Sequence, residues 1–562
     1  MINVTSKIFT KVLNDRLVKW ANQEQKMYEN QCGFTKGKST VDQLFILNTL
    51  IHKYLSKRGG RFYTAFVDFA KAFDTIPHQH LWFSLYKHGV HGNIISVLRS
   101  MYCKLKSAIQ VKNGITEYFK CEIGTRQGCI LSPFLFIFYL NEFTEMCRNE
   151  CLTGVYVNEN LTNIVSLLFA DDMVLCADTV FNLQKQLNLL KLFCDKWGMK
   201  VNLDKTNVIV YRNGGIIKSY EKWWFNGVKI QTSSYYKYLG LMVSSRGSWT
   251  TATKTLAQQA SKALFFINRL KKYNVLPFDI ACSLFDKMVV PILVYGAEIW
   301  GFKCYESIEN IHRKFIRQQL GLGTKTCNIA IYGETGRYPL HVIYKVKCIK
   351  YWLKLSEMEN CRYTKACYDM QYNLCENGRQ TWASCIKKML CESGFMIVWL
   401  CQSVGDKDAF LFQFRQRITD MWQQEWHSGL DSPKLRTYIT FKTNFVQEKY
   451  LSCLNIRKNV KALAKFRCSN HQLQIEVGRH NNISIEKRLC KFCLTKGSNV
   501  IEDEFHVLLV CDKYLSLREM YIDKMFTHPP SYQKFINIMS STNQVTLMKL
   551  SVFLINLFKQ II

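Results

Sequence analysis

The chain has 562 residues, 48% of them hydrophobic, which is enough to bury more than one core and excludes a small module stapled by disulfides. Lysine and arginine number 75 against 43 acids, a formal charge of +32, and 14% of residues are aromatic. An anionic membrane surface would satisfy the charge alone, but rings interleaved with cations suit unpaired bases and their phosphates, and so RNA or single strands. The 23 cysteines are odd in number and scattered, as reduced thiols are, and the opening residues carry no apolar secretory core. The longest apolar runs, such as 131–140, fall short of the roughly 18–20 residues that cross a bilayer. No membrane partner is expected, and the nucleus or cytoplasm is the expected compartment.

Along the chain, Ile8 to Leu17 and Val41 to Leu55 carry apolar residues at helical spacing, with a loop marked by Gly33 and Gly37 between them. The run RFYTAFVDF, 61–69, predicts a buried strand that delivers Asp68 to its end, ahead of a turn at Pro77. VSLLFADDMVLCA, 165–177, reads as two short apolar strands folded back on each other with Asp171 and Asp172 at the tip. From Thr251, Leu256, Ala260, Ala263, Leu264, Ile267 and Leu270 follow the helical period, while Lys254, Gln258, Lys262 and Arg269 lie largely off that stripe. This predicts an amphipathic helix with a basic flank. Beyond about Lys345 the pattern is helical, with alternating Lys-rich and apolar stretches.

Asp68, Asp171 and Asp172 are the first candidates for chemistry. Phosphoryl transfer to an incoming nucleotide requires positioning and charge neutralisation, which two Mg²⁺ ions can supply, and such hard cations take carboxylate oxygens. An Asp-Asp pair between apolar strands also fits a plain turn. Three carboxylates at apolar strand ends in a strongly basic chain weigh toward a site, because charge placed there without a partner is costly.

Seven blocks then occur in a fixed order: TSKIFTKVLNDRL, QCGFTKGKSTVDQLF, FVDFAKAFDTIPH, GTRQGCILSPFLFIFYLNEF, FADDMVLCAD, WGMKVNLDKTNVIVY and YYKYLGLMV. Over about the first 300 residues the chain resembles the reverse transcriptases of LINE-type (non-LTR) retrotransposons, of the jockey-like and related groups. The resemblance implies an α+β right-hand polymerase with fingers, palm and helical thumb, copying RNA into DNA from a primer with dNTPs. The expected division is fingers and palm 1–245, thumb and connection 246–345, a helical basic region of unassigned role 346–480, a zinc-binding-like module 481–520 and a helical tail 521–562.

By the same resemblance Asp68, Asp171 and Asp172 hold the palm's two Mg²⁺ ions, and Phe69 is a nucleotide contact. Phe73 looks like the aromatic gate under the sugar, where a 2′-hydroxyl would clash; ordinary palm core is its other reading. Gln127 and Gly128 look like the segment under the templating pair, where glycine permits close approach, although Gly-Cys before Ser132-Pro133 also fits the start of a helix. Arg126 is a phosphate or template contact. Lys36 and Lys38 stand where the family often has arginine, so triphosphate contact there would lack the bidentate fork. Lys205 resembles the lysine that protonates the leaving pyrophosphate, or else is surface charge. Tyr238, Leu239 and Gly240 look like the primer grip, and the basic helix after Thr251 like the thumb.

Near the end of the chain, Cys490, Cys493, His506 and Cys511 read C-x2-C-x12-H-x4-C. This is tetrahedral zinc spacing, in a chain with enough cysteines for a chance cluster. Similar clusters follow the polymerase domain in many LINE proteins. Lys487, Arg488, Lys491, Lys496 and Lys513 would surround the metal with positive charge and suit RNA or target DNA. The acidic run Glu502, Asp503, Glu504 predicts binding from one side only.

Proteins of this group usually carry an apurinic-type endonuclease before the polymerase, and the short stretch ahead of TSKIF leaves no room for one. The chain is therefore expected to be a truncated element that extends a supplied primer without opening its own target. A noncatalytic RNA-binding remnant is the competing reading, opposed by the intact acid triad. An RNA-dependent RNA polymerase is disfavoured by Phe73.

Overall fold

The computed structural model describes residues 3–103, 105–112, 114–157, 163–273 and 276–561. The chain divides into two compact units: 1–252 with 298–300 and 348–404, and 253–297 with 301–347 and 405–562. The stretch 346–480, read from the sequence as one region, is thus shared between them.

The first unit contains the stretch expected as fingers and palm, 1–245. Helix α1 spans Val4–Gln23 and α2 spans Thr40–Leu55. Ser39 and Asp42 form a capping box at the start of α2, each side chain taking the other's backbone N–H. Strand β1, Arg61–Val67, is buried at every position after Arg61, as a central strand packed on both faces requires. Helix α3, Ser132–Asn149, leads to the hairpin β2, Ser166–Phe169, and β3, Asp172–Ala177. Helix α4, Val180–Trp197, returns the chain to β4, Asn207–Arg212, and the short β5, Gln231–Thr232. The sheet order is β5-β4-β1-β3-β2, antiparallel except for the β4–β5 pair.

The two-residue side-chain period of β1 feeds two layers. Tyr63, Ala65 and Val67 join the core built by Leu135 and Phe138 of α3 and Leu187, Leu190 and Phe193 of α4. On the other side Phe62 stacks on Tyr211 at 5.4 Å and Phe66 on Tyr236 at 4.3 Å.

The helices of 348–404 pack on the fingers rather than standing apart. Helix α5 spans Thr250–Tyr273, α6 Glu306–Leu320 and α7 Leu340–Ser356, followed by α8, Tyr363–Glu376, and α9, Trp382–Glu392. From α7, the Tyr351 hydroxyl and the Lys354 ammonium both donate to the fully buried Asp42, at 3.0 and 2.9 Å. From α8, Gln371 donates to Thr49 at 2.6 Å, and Trp382 of α9 meets the ring of Phe45 at 5.1 Å. Arg362 pairs with Glu29 of the fingers loop at 2.5 Å.

The second unit is helical. In α5 the expected stripe is buried at Leu256, Ala260, Leu264 and Ile267, while Lys254, Gln258, Lys262 and Arg269 are exposed. Leu270, expected on the buried face, is 42% exposed, one turn before the helix ends. Arg467, on helix α10, Arg457–Arg467, forms a buried pair with Glu334 at 2.9 Å and with Glu448 at 2.8 Å. Helix α11, Gln544–Ile561, closes the chain against α10. No helix among the described residues is long and apolar enough to cross a membrane.

Asp42 both caps α2 and holds α7, so Asp42→Ala should cost about 2–4 kcal/mol, the cap and the stranded partners together. The measurement is the urea midpoint of the full chain; an unchanged midpoint would show that this network carries no stability.

Candidate active site

Backbone pairing brings the three acids together. Val67, the last residue of β1, stands opposite Met173, so Asp68 leaves the strand beside Asp172. Phe169 pairs with Asp172, which puts Ala170 and Asp171 in the two-residue turn of the hairpin, Ala170 in the left-handed region at φ 57°. Past the end of β1, the Asp68 amide donates to the Thr206 hydroxyl at 3.2 Å, and its carbonyl accepts from the Asn202 amide at 2.8 Å. The first carboxylate is therefore held from both sides.

The charges repel. Burial first, and then the Asp171 and Asp68 carboxylates, push Asp172 up to about 6 from its ordinary 3.8. Burial and Asp68 also raise Asp171, against the pull of a backbone N–H. Lys205 reaches the cluster from the 202–206 turn, its ammonium 3.8 Å from an Asp68 oxygen and 70% exposed.

The fingers loop is built into the hairpin. Gln31 pairs with Leu168 of β2 in parallel register, and its side-chain oxygen accepts from the amides of Gly33, at 2.7 Å, and Ala170, at 3.1 Å. A Cβ at Gly33 would lie 2.2 Å from the Ala170 nitrogen, so only glycine lets the loop pass this close to the acid-bearing turn. Gln43 of α2 donates to the carbonyls of Asn30 and Leu168, both at 3.0 Å. Tyr236, pushed up to about 12 by burial and by Asp172 and Asp68, is a further neighbour of the acids. Sequence reasoning assigned no role to Gln31, Gln43 or Tyr236, although all three fall inside the quoted blocks.

The other residues expected at the site sit in differing surroundings. Phe73 is half-buried, stacked on Phe136 at 4.2 Å with Phe34 edge-on at 6.5 Å. Exposed Gln127 donates to Asp74 at 2.8 Å, Gly128 faces open space, and Arg126 is half-buried beside them. Lys36 is exposed. Lys38, expected as a triphosphate contact, is instead spent inside the fingers: it pairs with Glu29 at 2.7 Å, donates to three carbonyls and is 8% exposed. Phe69, expected beside the nucleotide, is 4% exposed and belongs to the palm core. Tyr238 ends strand β6, Tyr235–Tyr238, whose hairpin partner β7 spans Leu241–Ser244, with Leu239 and Gly240 in the turn. The Tyr238 ring is buried against Phe66 at 5.4 Å, which leaves the Leu239–Gly240 backbone as the accessible part of that segment.

In the second unit, Cys490, Cys493, His506 and Cys511 bring one ligand atom each to within 4.8 Å of one another. Cys490 Sγ and Cys493 Sγ lie 3.9 and 3.8 Å from Cys511 Sγ, and Cys493 Sγ lies 3.3 Å from His506 Nε2. A tetrahedron with zinc–sulfur bonds of about 2.3 Å has edges of about 3.8 Å, so the donor set fits that ion. A bridge between Leu489 and Ile501 aligns the first cysteine.

The acidic run beside the cluster is internal, not a repelling face. Glu502 accepts from the Gln474 amide, Asp503 from the His506 amide, and Glu504 is buried. Burial pushes Glu504 up, but His471 and Arg436 outweigh it and hold the carboxyl down at about 2. Arg488 is likewise spent on the carbonyls of Ile483 and Ile475.

Residues 1–243 match the family described as reverse transcriptase (RNA-dependent DNA polymerase). A probable RNA-directed DNA polymerase from transposon BS of Drosophila melanogaster is 24% identical over 330 residues, covering 56% of this chain and 35% of that protein. A Pol polyprotein from the type-2 retrotransposable element R2DM of the same organism is 27% identical over 198 residues, 35% of this chain and 18% of its own. The chain thus spans about a third or less of the length of each of these two relatives. A solved telomerase from Candida albicans overlaps 66% of this chain and 58% of its own, with a TM-score of 0.31 and 14% identity.

Reverse transcriptases use divalent ions, and Asp172 must release its proton to bind one. Below about pH 6 proton and ion compete, so Mn²⁺ affinity, read by titration of the full chain, should be about tenfold weaker at pH 5 than at pH 7.5. Without the ion the sign is opposite for stability: the raised group stabilises below its unfolded value near 3.8, and that contribution is lost as pH rises through about 6. A pH-independent Mn²⁺ affinity would contradict the crowding of these carboxylates.

Proposed function

We propose that the chain is an RNA-directed DNA polymerase of a LINE-type retrotransposon, extending a DNA primer on an RNA template by nucleotidyl transfer from dNTPs. The observation that carries this is the meeting of Asp68, Asp171 and Asp172 at one end of the palm sheet.

Two Mg²⁺ ions held by these carboxylates would neutralise charge on the attacking and leaving oxygens. The primer 3′ oxygen forms a bond to the α-phosphorus as the bond to pyrophosphate breaks. Lys205, solvent-facing and 3.8 Å from Asp68, is positioned to give the departing pyrophosphate a proton. Phe73, fixed by its stack on Phe136, is the gate that would exclude a 2′-hydroxyl. Arg126, Gln127 and Gly128 line the template side, Lys36 supplies an exposed cation of the fingers loop, and the Tyr238–Gly240 turn holds the primer end. Cys490, Cys493, His506 and Cys511 hold a structural Zn²⁺ in a module that grips RNA or target DNA.

Primer extension on poly(rA)/oligo(dT) with Mg²⁺ tests the reading. Wild type should extend, and Asp171→Asn with Asp172→Asn should lower the rate by at least about a thousandfold; extension by both proteins, or by neither, removes the enzymatic claim. Phe73→Val should raise ribonucleotide incorporation relative to deoxyribonucleotide by about tenfold or more, and unchanged selectivity would return Phe73 to ordinary core. Metal analysis should find one zinc per chain, lost in Cys490→Ser with Cys493→Ser; a wild-type chain without zinc would refute the module.

A further inference from the structure

In the second unit, α10 carries Arg457, Lys461 and Lys465 one turn apart on one face, about 6 Å per step. Arg457 and Lys461, with Arg317, Gln318 and Asn268, line a cavity of about 360 Å³ at the end of α6. Among the described residues no carboxylate lies within ion-pair distance of Arg317, Arg457, Lys461 or Lys465. Arg317 donates to the Thr326 carbonyl and to Asn328, yet its Nε–H is buried with no acceptor. Burial and Arg313 lower Arg317, against the pull of Glu306, and burial with Arg457 and Lys465 lowers Lys461.

Helix α6 ends at this cavity, and its C-terminal dipole offers about half a negative charge. One such end does not balance three full cations. The crowding is also built into the backbone: Gly321, at φ +68°, ends α6, and a Cβ there would fall 2.4 Å from Lys461 Cγ, so glycine is what lets the lysine stem cross the helix end.

A second cavity of about 350 Å³ lies further along the same helix, lined by Lys465, Asn470, His471, Gln472, Phe558 and Ile561. It has the parts that a base needs: side-chain amides for edges, an aromatic ring, and the buried Nδ1 of His471, which has no partner.

We propose that α10 is a seat for single-stranded RNA, with backbone phosphates on Arg317, Arg457 and Lys461 and a base in the cavity beside Lys465. This rests on the polymerase reading for the identity of the polyanion, but it concerns residues to which that reading gives no part. The four-residue spacing matches a phosphate run along an extended strand, and the alternation of a cationic cavity with one lined by amides and a ring separates backbone contact from base contact.

The test uses the full chain and a fluorescein-labelled single-stranded RNA, with anisotropy titrations across a salt series. Arg457→Gln with Lys461→Gln should weaken binding about tenfold near 0.1 M salt and reduce the slope of log affinity against log salt by about 1.4, two contacts at about 0.7 each. Lys458→Gln, on the same helix but off the stripe, should leave the slope unchanged. If the double variant unfolds, Arg457→Gln alone, on an exposed side chain, should remove about 0.7. Unchanged affinity and slope, an equal loss in Lys458→Gln, or displacement of the RNA by millimolar inorganic phosphate alone would overturn the inference. Primer extension is measured in parallel. Normal extension with RNA binding indifferent to these residues refutes the seat and leaves the polymerase; binding that tracks them in a chain without extension does the reverse.

Discussion

The palm depends on holding three like charges together against their repulsion. The β1–β3 ladder fixes Asp68 beside Asp172, and the β2–β3 turn fixes Asp171 next to both. Repulsion among partly buried carboxylates would open a loose site, and the rise of Asp172 to about 6 records that tension. What resists it is a strand buried on both faces, with an aliphatic and aromatic core on one side and the Phe62–Tyr211 and Phe66–Tyr236 stacks on the other. A site preorganised in this way, with excess negative charge, is matched to divalent cations before any substrate arrives.

The same constraint explains why the fingers loop is rigid where it meets the turn. Gln31 and Gln43 spend their amides on the hairpin backbone, and Gly33 removes the side chain that would keep the loop away. Lys38 and Arg362 converge on Glu29, and Asp42 gathers Ser39, Tyr351 and Lys354. Buried hydrogen bonds of this kind specify one arrangement more sharply than apolar packing does, and Gln43 Oε1 and Arg362 Nη2 remain without a partner. Residues 348–404, far along the chain, thereby become part of the frame that holds the acid-bearing turn.

In the second unit, charge is sorted between two uses. Glu504, Arg436, His471, Arg467 and Glu334 neutralise one another in the interior. Among the described residues the cations of α10 that face the first cavity, Arg457 and Lys461, have no carboxylate partner. The zinc-fitting cluster sits among the neutralised groups, since the acids beside it act as backbone acceptors and ion-pair partners.

The sequence by itself determined the local elements and the chemistry they carry. An unbroken apolar run reads as a central strand, two apolar runs around Asp171-Asp172 as a hairpin, and the stripe from Leu256 to Leu270 as one face of a helix, because each follows from side-chain periodicity; the structure moves the turn to Ala170-Asp171 and leaves Leu270 exposed. The donor types at 490, 493, 506 and 511 were legible for the same reason, as spacing is a property of the chain. Only the tertiary structure decided which charges were free. Lys36 and Lys38 look alike in sequence, but Glu29 stands within reach of one of them; Glu502, Asp503 and Glu504 read as a solvated run until their partners at Gln474, His506, Arg436 and His471 are seen. The attachment of 348–404 to α2 was equally hidden, because its contacts join residues some 300 positions apart and leave no periodic trace. A charge's availability depends on what lies near it in space, and distance along the chain carries no record of that.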